Sequence, residues 1–204
     1  AMKQMIALSK APIIASHSSA RALCNHSRNL DDEQLLMLKE NGGVVQTVAF
    51  SSYLNTTKND ARNAFMKEIN KQVADSLHLP WYEFSEFASL SDQQKEELMQ
   101  NYPKVKALAE AKVINMKNAP EAVNVSDFVD HIDYMVNLIG IDHVGISSDF
   151  DGGGGIEGWS DASETFNVTL ELVRRGYSEE AIAKLWGGNL LRVLDTVQAI
   201  AKTL

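Results

Sequence analysis

Two short apolar runs of the sequence each end near a side chain that can transfer a proton or bind a metal ion. The run Pro12–Ser16 leads into His17, and a second run, Gly140–Phe150, carries Asp149 near its end. Both runs have the length and composition of buried strands. The carboxyl ends of parallel barrel strands lie on one face, where catalytic groups collect. We therefore expect the imidazole of His17 and the carboxylate of Asp149 to meet in one pocket.

The composition indicates one ordinary globular domain and argues against several classes of function. The 204 residues are 45% hydrophobic and 23% charged, which is sufficient for a buried core. A formal net charge of −8 argues against nucleic-acid binding, which needs clustered lysines and arginines. Cys24 is the single cysteine, so no disulfide can form within the chain. No apolar stretch reaches the roughly 20 residues that span a bilayer, and no targeting segment is present. We expect a soluble chain of undetermined location.

Strands and helices alternate along the sequence, and this alternation predicts an α/β fold with a parallel sheet covered by helices. The predicted strands are Pro12–Ser16, Val44–Phe50 and the run before Asp149. Capping residues predict helices that begin after Asp31 and after Ser91. Only three strands are convincing, whereas a closed eight-stranded barrel takes about 250 residues. The chain is therefore too short to close a barrel by itself.

A charged, helix-rich segment at about 55–122 interrupts this alternation without adding a strand. It contains Pro80-Trp81-Tyr82 and Phe84 among charged helices. We interpret it as a helical insertion that serves as a lid or as an oligomer contact. The alternative is a solvated helical excursion without such a role.

Several ordered motifs closely resemble the membrane dipeptidase (renal dipeptidase) family of zinc peptidases. The motifs are Ala15–Cys24, His26–Asp32, His131–Tyr134, Gly140–Gly152 and Gly188–Val193. The resemblance implies a (β/α)8 TIM-barrel metallohydrolase of the amidohydrolase kind, in which two zinc ions bridged by a glutamate help to cleave dipeptides. Residues 1–204 would be the C-terminal part of that single domain, covering its last three strands.

The sequence also departs from the family pattern in its metal ligands. The His-x-Asp motif of the first strand, the bridging glutamate and a further histidine ligand have no counterpart here, so the resemblance implies one zinc ligand of five. Catalytic zinc generally needs about three protein ligands. We therefore expect weak or absent zinc binding and no activity for the isolated chain. The first half of the barrel would have been left off or would reside in a separate chain or segment.

The resemblance assigns roles to four residues. It implies that His17 is a zinc ligand, that Asp149 faces the metal-bound hydroxide and exchanges protons with it, and that Arg28 binds the free carboxylate of the substrate. Tyr53 occupies a position near the substrate pocket. The alternatives are a hydrogen-bonded core histidine for His17, a turn cap for Asp149, a surface ion pair with Asp31 or Asp32 for Arg28, and simple packing for Tyr53.

The remaining candidates favour structural interpretations. Asp151-Gly152 is typical of a turn, and Gly152–Gly155 lack the lysine and spacing of a phosphate-binding loop. Cys24 lies in an apolar context that indicates packing. The other histidines are predicted to be packed (His143), structural or solvated (His131 and His78), or of open role (His26).

Two hypotheses from different classes follow. The first is an enzyme, a zinc dipeptidase whose substrate is a dipeptide. The second is a non-catalytic half-barrel that persists by self-association or by association with a partner, because open sheet edges invite pairing. In either case we expect a homo-oligomer or pairing with the missing N-terminal half.

Overall fold

Three parallel strands form the sheet in the computed structural model, which describes residues 2–203. The strands are β1 (Ile14–Ala15), β2 (Val44–Val48) and β3 (Val144–Ser147), in the order β1-β2-β3. Ile14 lies opposite Val44, and Gln46 lies opposite Gly145. β1 is shorter than the predicted strand, in part because Pro12 has no amide hydrogen to donate. The three strand positions and their parallel pairing agree with the sequence prediction.

Helices connect and cover the strands. They are α1 (Met2–Leu8), α2 (Asp32–Glu40), α3 (Ser51–Leu54), α4 (Thr56–Ser76), α5 (Asp92–Ile114), α6 (Val125–Ile139), α7 (Thr165–Arg174), α8 (Glu179–Ala183) and α9 (Asn189–Ala201). Within residues 2–203, none of these helices combines the length and the apolarity needed to cross a membrane.

Side chains that cap helix ends define where three of the helices begin. Asp31 and Gln34 form the predicted capping box at the start of α2, and Ser91 and Gln94 form the predicted one at α5. At α6, the cap is Asn124, whose side chain accepts hydrogen bonds from two backbone amides. A capping side chain satisfies amide groups that the helix cannot pair internally.

α6 supplies the centre of the main hydrophobic core. Its buried side chains include Phe128, Ile132 and Met135, which belong to one cluster with Val45 and Val144 of the sheet. All five are fully shielded from solvent. The strands thus have their positions fixed by packing against this helix, and their ends carry the candidate residues.

The chain divides into two compact units. The first contains the residues up to Asn59 together with those from Ala122 onward, and the second contains Asp60–Glu121. The predicted insertion at about 55–122 begins slightly earlier than the second unit. Asn55 and Lys58 both contact Asp127 of α6, and these contacts place them in the first unit.

The second unit has a core and an aromatic cluster of its own. Its core includes Ile69, Val73 and Val105. The rings of Trp81 and Tyr102 stack at 5.9 Å, and Phe84 meets Tyr102 edge-on at 4.7 Å. The role of a lid or an oligomer contact stays a prediction for this unit.

Arg175 links α7 to α6 through most of its donor groups. Its Nη1 contacts Asp130 at 2.6 Å and Asp133 at 2.7 Å, and its Nε donates to Glu171 at 2.9 Å. Its Nη2 donates to the carbonyl and the hydroxyl of Ser126. A planar guanidinium can satisfy such a set of acceptors at once, whereas an ammonium cannot.

We expect Arg175→Lys to lower the free energy of unfolding by about 1–3 kcal/mol, because several charged acceptors lose their donor. The neighbouring Arg174, whose side chain is 67% exposed, gives the control Arg174→Lys. Urea unfolding followed by circular dichroism measures both. Equal stability of the two variants would show that the network does not stabilise the helix pair.

Candidate functional site

His17 lies two residues after β1, at the carboxyl-end edge of the sheet. The amide of Ser18 donates to the carbonyl of Gln46 at 3.2 Å, which continues the β1–β2 ladder past His17. The Nδ1 atom lies 2.9 Å from the hydroxyl of Ser16. Its Nε2 atom lies 3.6 Å from Oδ1 of Asp149. This separation exceeds a hydrogen bond, so the two groups face one another with little direct bonding.

Asp149 lies two residues after β3 in a tight turn. Its φ is 56°, in the left-handed region, and its carbonyl accepts from the amides of Gly152 at 3.1 Å and Gly154 at 2.9 Å. Asp151 also has a positive φ, of 63°. Aspartate tolerates this region better than most residues. The turn directs the Asp149 carboxylate towards His17, and this is the convergence that the strand ends predict.

The loop that follows Asp149 is anchored at two points. The amide of Gly155 donates to the carbonyl of Ala49 at 2.8 Å. Further along, Trp159 is 2% exposed and makes edge-on contacts with Phe128 and Phe150. Together these contacts set the path of residues 150–159 at the sheet edge.

Tyr53 and Arg28 lie on segments that approach the same edge. Tyr53 belongs to α3, directly after β2, and its ring stacks on Phe50 at 4.6 Å and on His26 at 4.2 Å. The backbone amide of Arg28 donates to Nδ1 of His26 at 3.3 Å. Phe50 in turn pairs with Gly155 of the loop after Asp149. A chain of contacts therefore connects the neighbourhood of Arg28 to that of Asp149.

The Arg28 side chain is exposed and, within residues 2–203, has no ion pair. The alternative considered from the sequence, pairing with Asp31 or Asp32, is not present. Arg21 approaches Asp31 instead, at 3.5 Å, and the hydroxyl of Tyr134 donates to Asp32 at 2.8 Å.

Two buried polar residues hold the 16–30 loop in place, and sequence reasoning gave neither of them this role. Asn29 is fully buried; its Oδ1 accepts from Ser19, and its Nδ2 donates to the carbonyls of Cys24 and Tyr53. His131 of α6 is 1% exposed and contacts the backbone of Ala20. Burial lowers the pKa of the His131 imidazole. The contacts from Asn29 to Tyr53 and from His131 to Ala20 span 24 and 111 residues, so no local sequence signal identifies them.

The other sequence candidates lie away from this pair. Nδ1 of His143 lies 2.9 Å from the carbonyl of Gly43, before β3 begins. Cys24 is 5% exposed and contacts Thr56. His78 follows α4 in the second unit. The packing interpretations of Cys24 and His143 therefore agree with the structure.

A cavity of about 450 Å³ lies beside α6 and does not include His17 or Asp149. Asp127, Asp130 and Asp133 line it, but each is paired with a cation. Lys58 lies 3.1 Å from Asp127, and Arg175 contacts the other two. All three carboxylates are therefore engaged in ion pairs, and the cavity is separate from the site at the strand ends.

The described residues do not form a complete metal centre. Between residues 2 and 203, no three side chains of histidine, cysteine, aspartate or glutamate lie close enough to hold one ion. His17 and Asp149 offer two donors, whereas catalytic zinc generally uses about three protein ligands. This donor set does not fit a zinc ion by itself.

Comparisons with known proteins agree on one family. A protein-family model described as membrane dipeptidase (peptidase family M19) matches residues 1–204. Dipeptidase aclJ of Aspergillus oryzae is 33% identical over 198 residues, which make up 97% of this chain and 32% of that protein. Dipeptidase 3 of Rattus norvegicus is 27% identical over 201 residues, or 98% of this chain and 28% of that protein. The chain thus spans about a third of the length of these relatives.

Solved structures show the same partial coverage. The probable dipeptidase PvdM of Pseudomonas aeruginosa is 40% identical with a TM-score of 0.65, and the match covers 97% of this chain and 48% of that one. A metallopeptidase of Rhodobacter sphaeroides bound to a phosphinate mimic of L-Ala-D-Ala is 21% identical with a TM-score of 0.61, covering 96% and 39%. The expected fold class, part of a (β/α)8 barrel, is confirmed.

The turn that carries Asp149 requires glycine at position 154. A methyl group there would lie 2.1 Å from the carbonyl oxygen of Ser148. We expect Gly154→Ala to displace the turn and to cost about 1–3 kcal/mol of unfolding free energy. The measurements are urea unfolding and the NMR amide shift of Asp149.

Gly187→Ala is the matched control, because a methyl group at Gly187 meets nothing within 4 Å. It should leave both measurements close to the parent values. An unchanged Asp149 shift in Gly154→Ala would contradict the role given to this glycine.

Proposed function

The chain belongs to the membrane dipeptidase family, peptidase family M19, and from that premise we propose that residues 1–204 form part of a zinc-dependent dipeptidase site. The substrate class is the dipeptide, and the reaction is hydrolysis of its peptide bond. The observation that carries the proposal is the 3.6 Å approach of His17 to Asp149 at the carboxyl ends of parallel strands. Barrel enzymes place their catalytic groups on this face.

Asp149 is proposed as the group that moves the proton. A carboxylate at this position accepts a proton from the attacking water and returns it to the departing amine. The carboxylate is 28% exposed, so water and substrate can reach it. Its left-handed turn fixes the backbone while leaving the side chain directed at His17. Asp151, in the same turn, is proposed to shape the loop only.

His17 is proposed as one ligand of the metal ion. Its Nε2 atom is the nitrogen that faces Asp149, while Nδ1 contacts the hydroxyl of Ser16. The other ligands are proposed to come from polypeptide other than residues 1–204. Both outer strands of the sheet, β1 and β3, have one unpaired edge within the described residues, and such edges accept further strands.

Arg28 and Tyr53 are proposed to bind the substrate. An exposed guanidinium without an ion pair can take the terminal carboxylate of a dipeptide in a bidentate contact. Tyr53 stacks between Phe50 and His26, so its ring is held in place near Arg28. A contact to the substrate carboxylate would select dipeptides with a free carboxyl end.

Replacement of Asp149 tests the proposed reaction. The assay uses a chimera in which residues 1–204 replace the matched segment of PvdM, and dipeptide hydrolysis is measured. Asp149→Asn should lower kcat by about 10²–10⁴-fold, because proton transfer is lost, and should leave the zinc content unchanged. His17→Ala should instead lower the zinc content.

Asp151→Asn is the control, since it changes a neighbouring carboxylate in the same turn. It should retain most of the activity. A folded chimera without zinc or hydrolysis, or an Asp149→Asn variant with parent kcat, would overturn the proposal.

Replacement of Arg28 tests the substrate contact separately. Arg28→Lys should raise KM for free dipeptides by roughly tenfold, with little change in kcat, because bidentate binding is lost. Dipeptide amides have no terminal carboxylate, so their KM should not respond. Arg174→Lys is the control for the loss of a surface guanidinium. An equal response of acids and amides would exclude the carboxylate contact.

A further inference from the structure

His131 joins two segments that lie far apart in the sequence. Its Nδ1 atom lies 3.0 Å from the amide of Ala20, and its Nε2 atom lies 2.9 Å from the carbonyl of Leu54. The amide can only donate and the carbonyl can only accept, so Nδ1 carries no proton and Nε2 carries one. The ring is therefore neutral and in one tautomer.

Each of these two segments carries a proposed site residue. Ala20 lies three residues after His17 in the 16–30 loop, and Leu54 directly follows Tyr53 in α3. Ala20 is fully buried and pairs with Leu30 across the base of that loop. The ring of His131 thus spans the gap between the segment that bears His17 and the segment that bears Tyr53.

We propose that His131 is a positioning residue for the dipeptidase site, because its neutral imidazole fixes the loop of His17 relative to the helix of Tyr53. This inference rests on the proposed function for its effect on catalysis. The two hydrogen bonds themselves do not depend on that function.

An apolar side chain of similar size could fill this space but not replace the two bonds. The amide of Ala20 and the carbonyl of Leu54 would then be buried without partners, which is costly. Asparagine places an oxygen near the position of Nδ1, and glutamine places an NH₂ group near that of Nε2. His131→Asn therefore keeps the bond to Ala20, and His131→Gln keeps the bond to Leu54.

Protonation of His131 would break the same arrangement. Asp127, Asp130, Asp133 and Tyr134 of α6 surround the cavity beside the ring. Lys58 of α4 contacts Asp127, and Arg175, after α7, contacts Asp130 and Asp133, so two cations face these three carboxylates. A second proton would place an N–H at Nδ1 against the amide of Ala20.

The pH dependence has a definite sign. Burial lowers the pKa of His131 in the folded chain, while the unfolded chain titrates near pH 6.5. Between these two pKa values the unfolded state binds more protons than the folded state. The stabilisation that the neutral His131 ring contributes is therefore complete above about pH 6.5 and is lost as the pH falls through the lowered pKa of the folded chain. The hydrogen bond from the Ala20 amide to Nδ1 of His131 should be lost together with this stabilisation.

The test compares His131→Asn, His131→Gln and His131→Leu by NMR in the full 204-residue chain. His131→Gln should speed the hydrogen exchange of the Ala20 amide by at least roughly tenfold, the equivalent of one weak hydrogen bond, and should shift the ring resonances of His17. His131→Asn should preserve the exchange rate of the Ala20 amide and the ring resonances of His17, and should shift the resonances of Tyr53. His143→Gln, at the opposite end of β3, is the control and should change neither set.

Two outcomes would overturn the proposal. One is that His131→Asn and His131→Gln change the exchange of the Ala20 amide and the resonances of His17 and Tyr53 in the same way. The other is a folded His131→Leu chain with parent resonances for His17 and Tyr53. If His131→Leu does not fold, the comparison of His131→Asn with His131→Gln decides the test.

In the PvdM chimera, His131→Gln should lower kcat/KM while its zinc content stays within twofold of the parent. An inactive parent chimera would overturn the proposed function and leave the NMR comparison to test His131. An active chimera whose kcat/KM does not respond to His131→Gln would overturn the catalytic part of the positioning role.

Discussion

The parallel pairing of β2 with both of its neighbours is the constraint on which the candidate site depends. It brings the ends of β1 and β3 to one edge of the sheet, and His17 and Asp149 each lie two residues past their strand. Strands that flank a common neighbour are about 10 Å apart. The two side chains must therefore lean over the end of β2 to come within 3.6 Å of one another.

A second layer of contacts holds the segments that leave this edge. Asn29 and His131 are both buried, and both have their polar side-chain atoms paired with backbone groups, within the 16–30 loop and beyond it. Buried polar groups of this kind are costly when unpaired, so the paired arrangement favours one geometry over its alternatives. The 16–30 loop is thereby ordered without regular secondary structure.

The sequence predicted the features that depend on local patterns. The strand positions, the caps at Asp31 and Ser91 and the meeting of His17 with Asp149 follow from periodicity, capping patterns and strand direction, and the structure agrees. The bond between His131 and Ala20 spans 111 residues, and no local pattern encodes such a separation. The same holds for the stack of His26 on Tyr53. The functions of these residues stay predictions, since geometry alone does not assign them.

The backbone at Asp149 restricts the residue types that this position can accept. A φ of 56° is strained for most side chains, whereas glycine, asparagine and aspartate adopt it readily. A protein of this shape that had lost all catalysis would still favour those three residues here. An aspartate found at this turn in any related chain would therefore reflect backbone geometry as well as reactivity, and would not by itself be a sign of selection for chemistry.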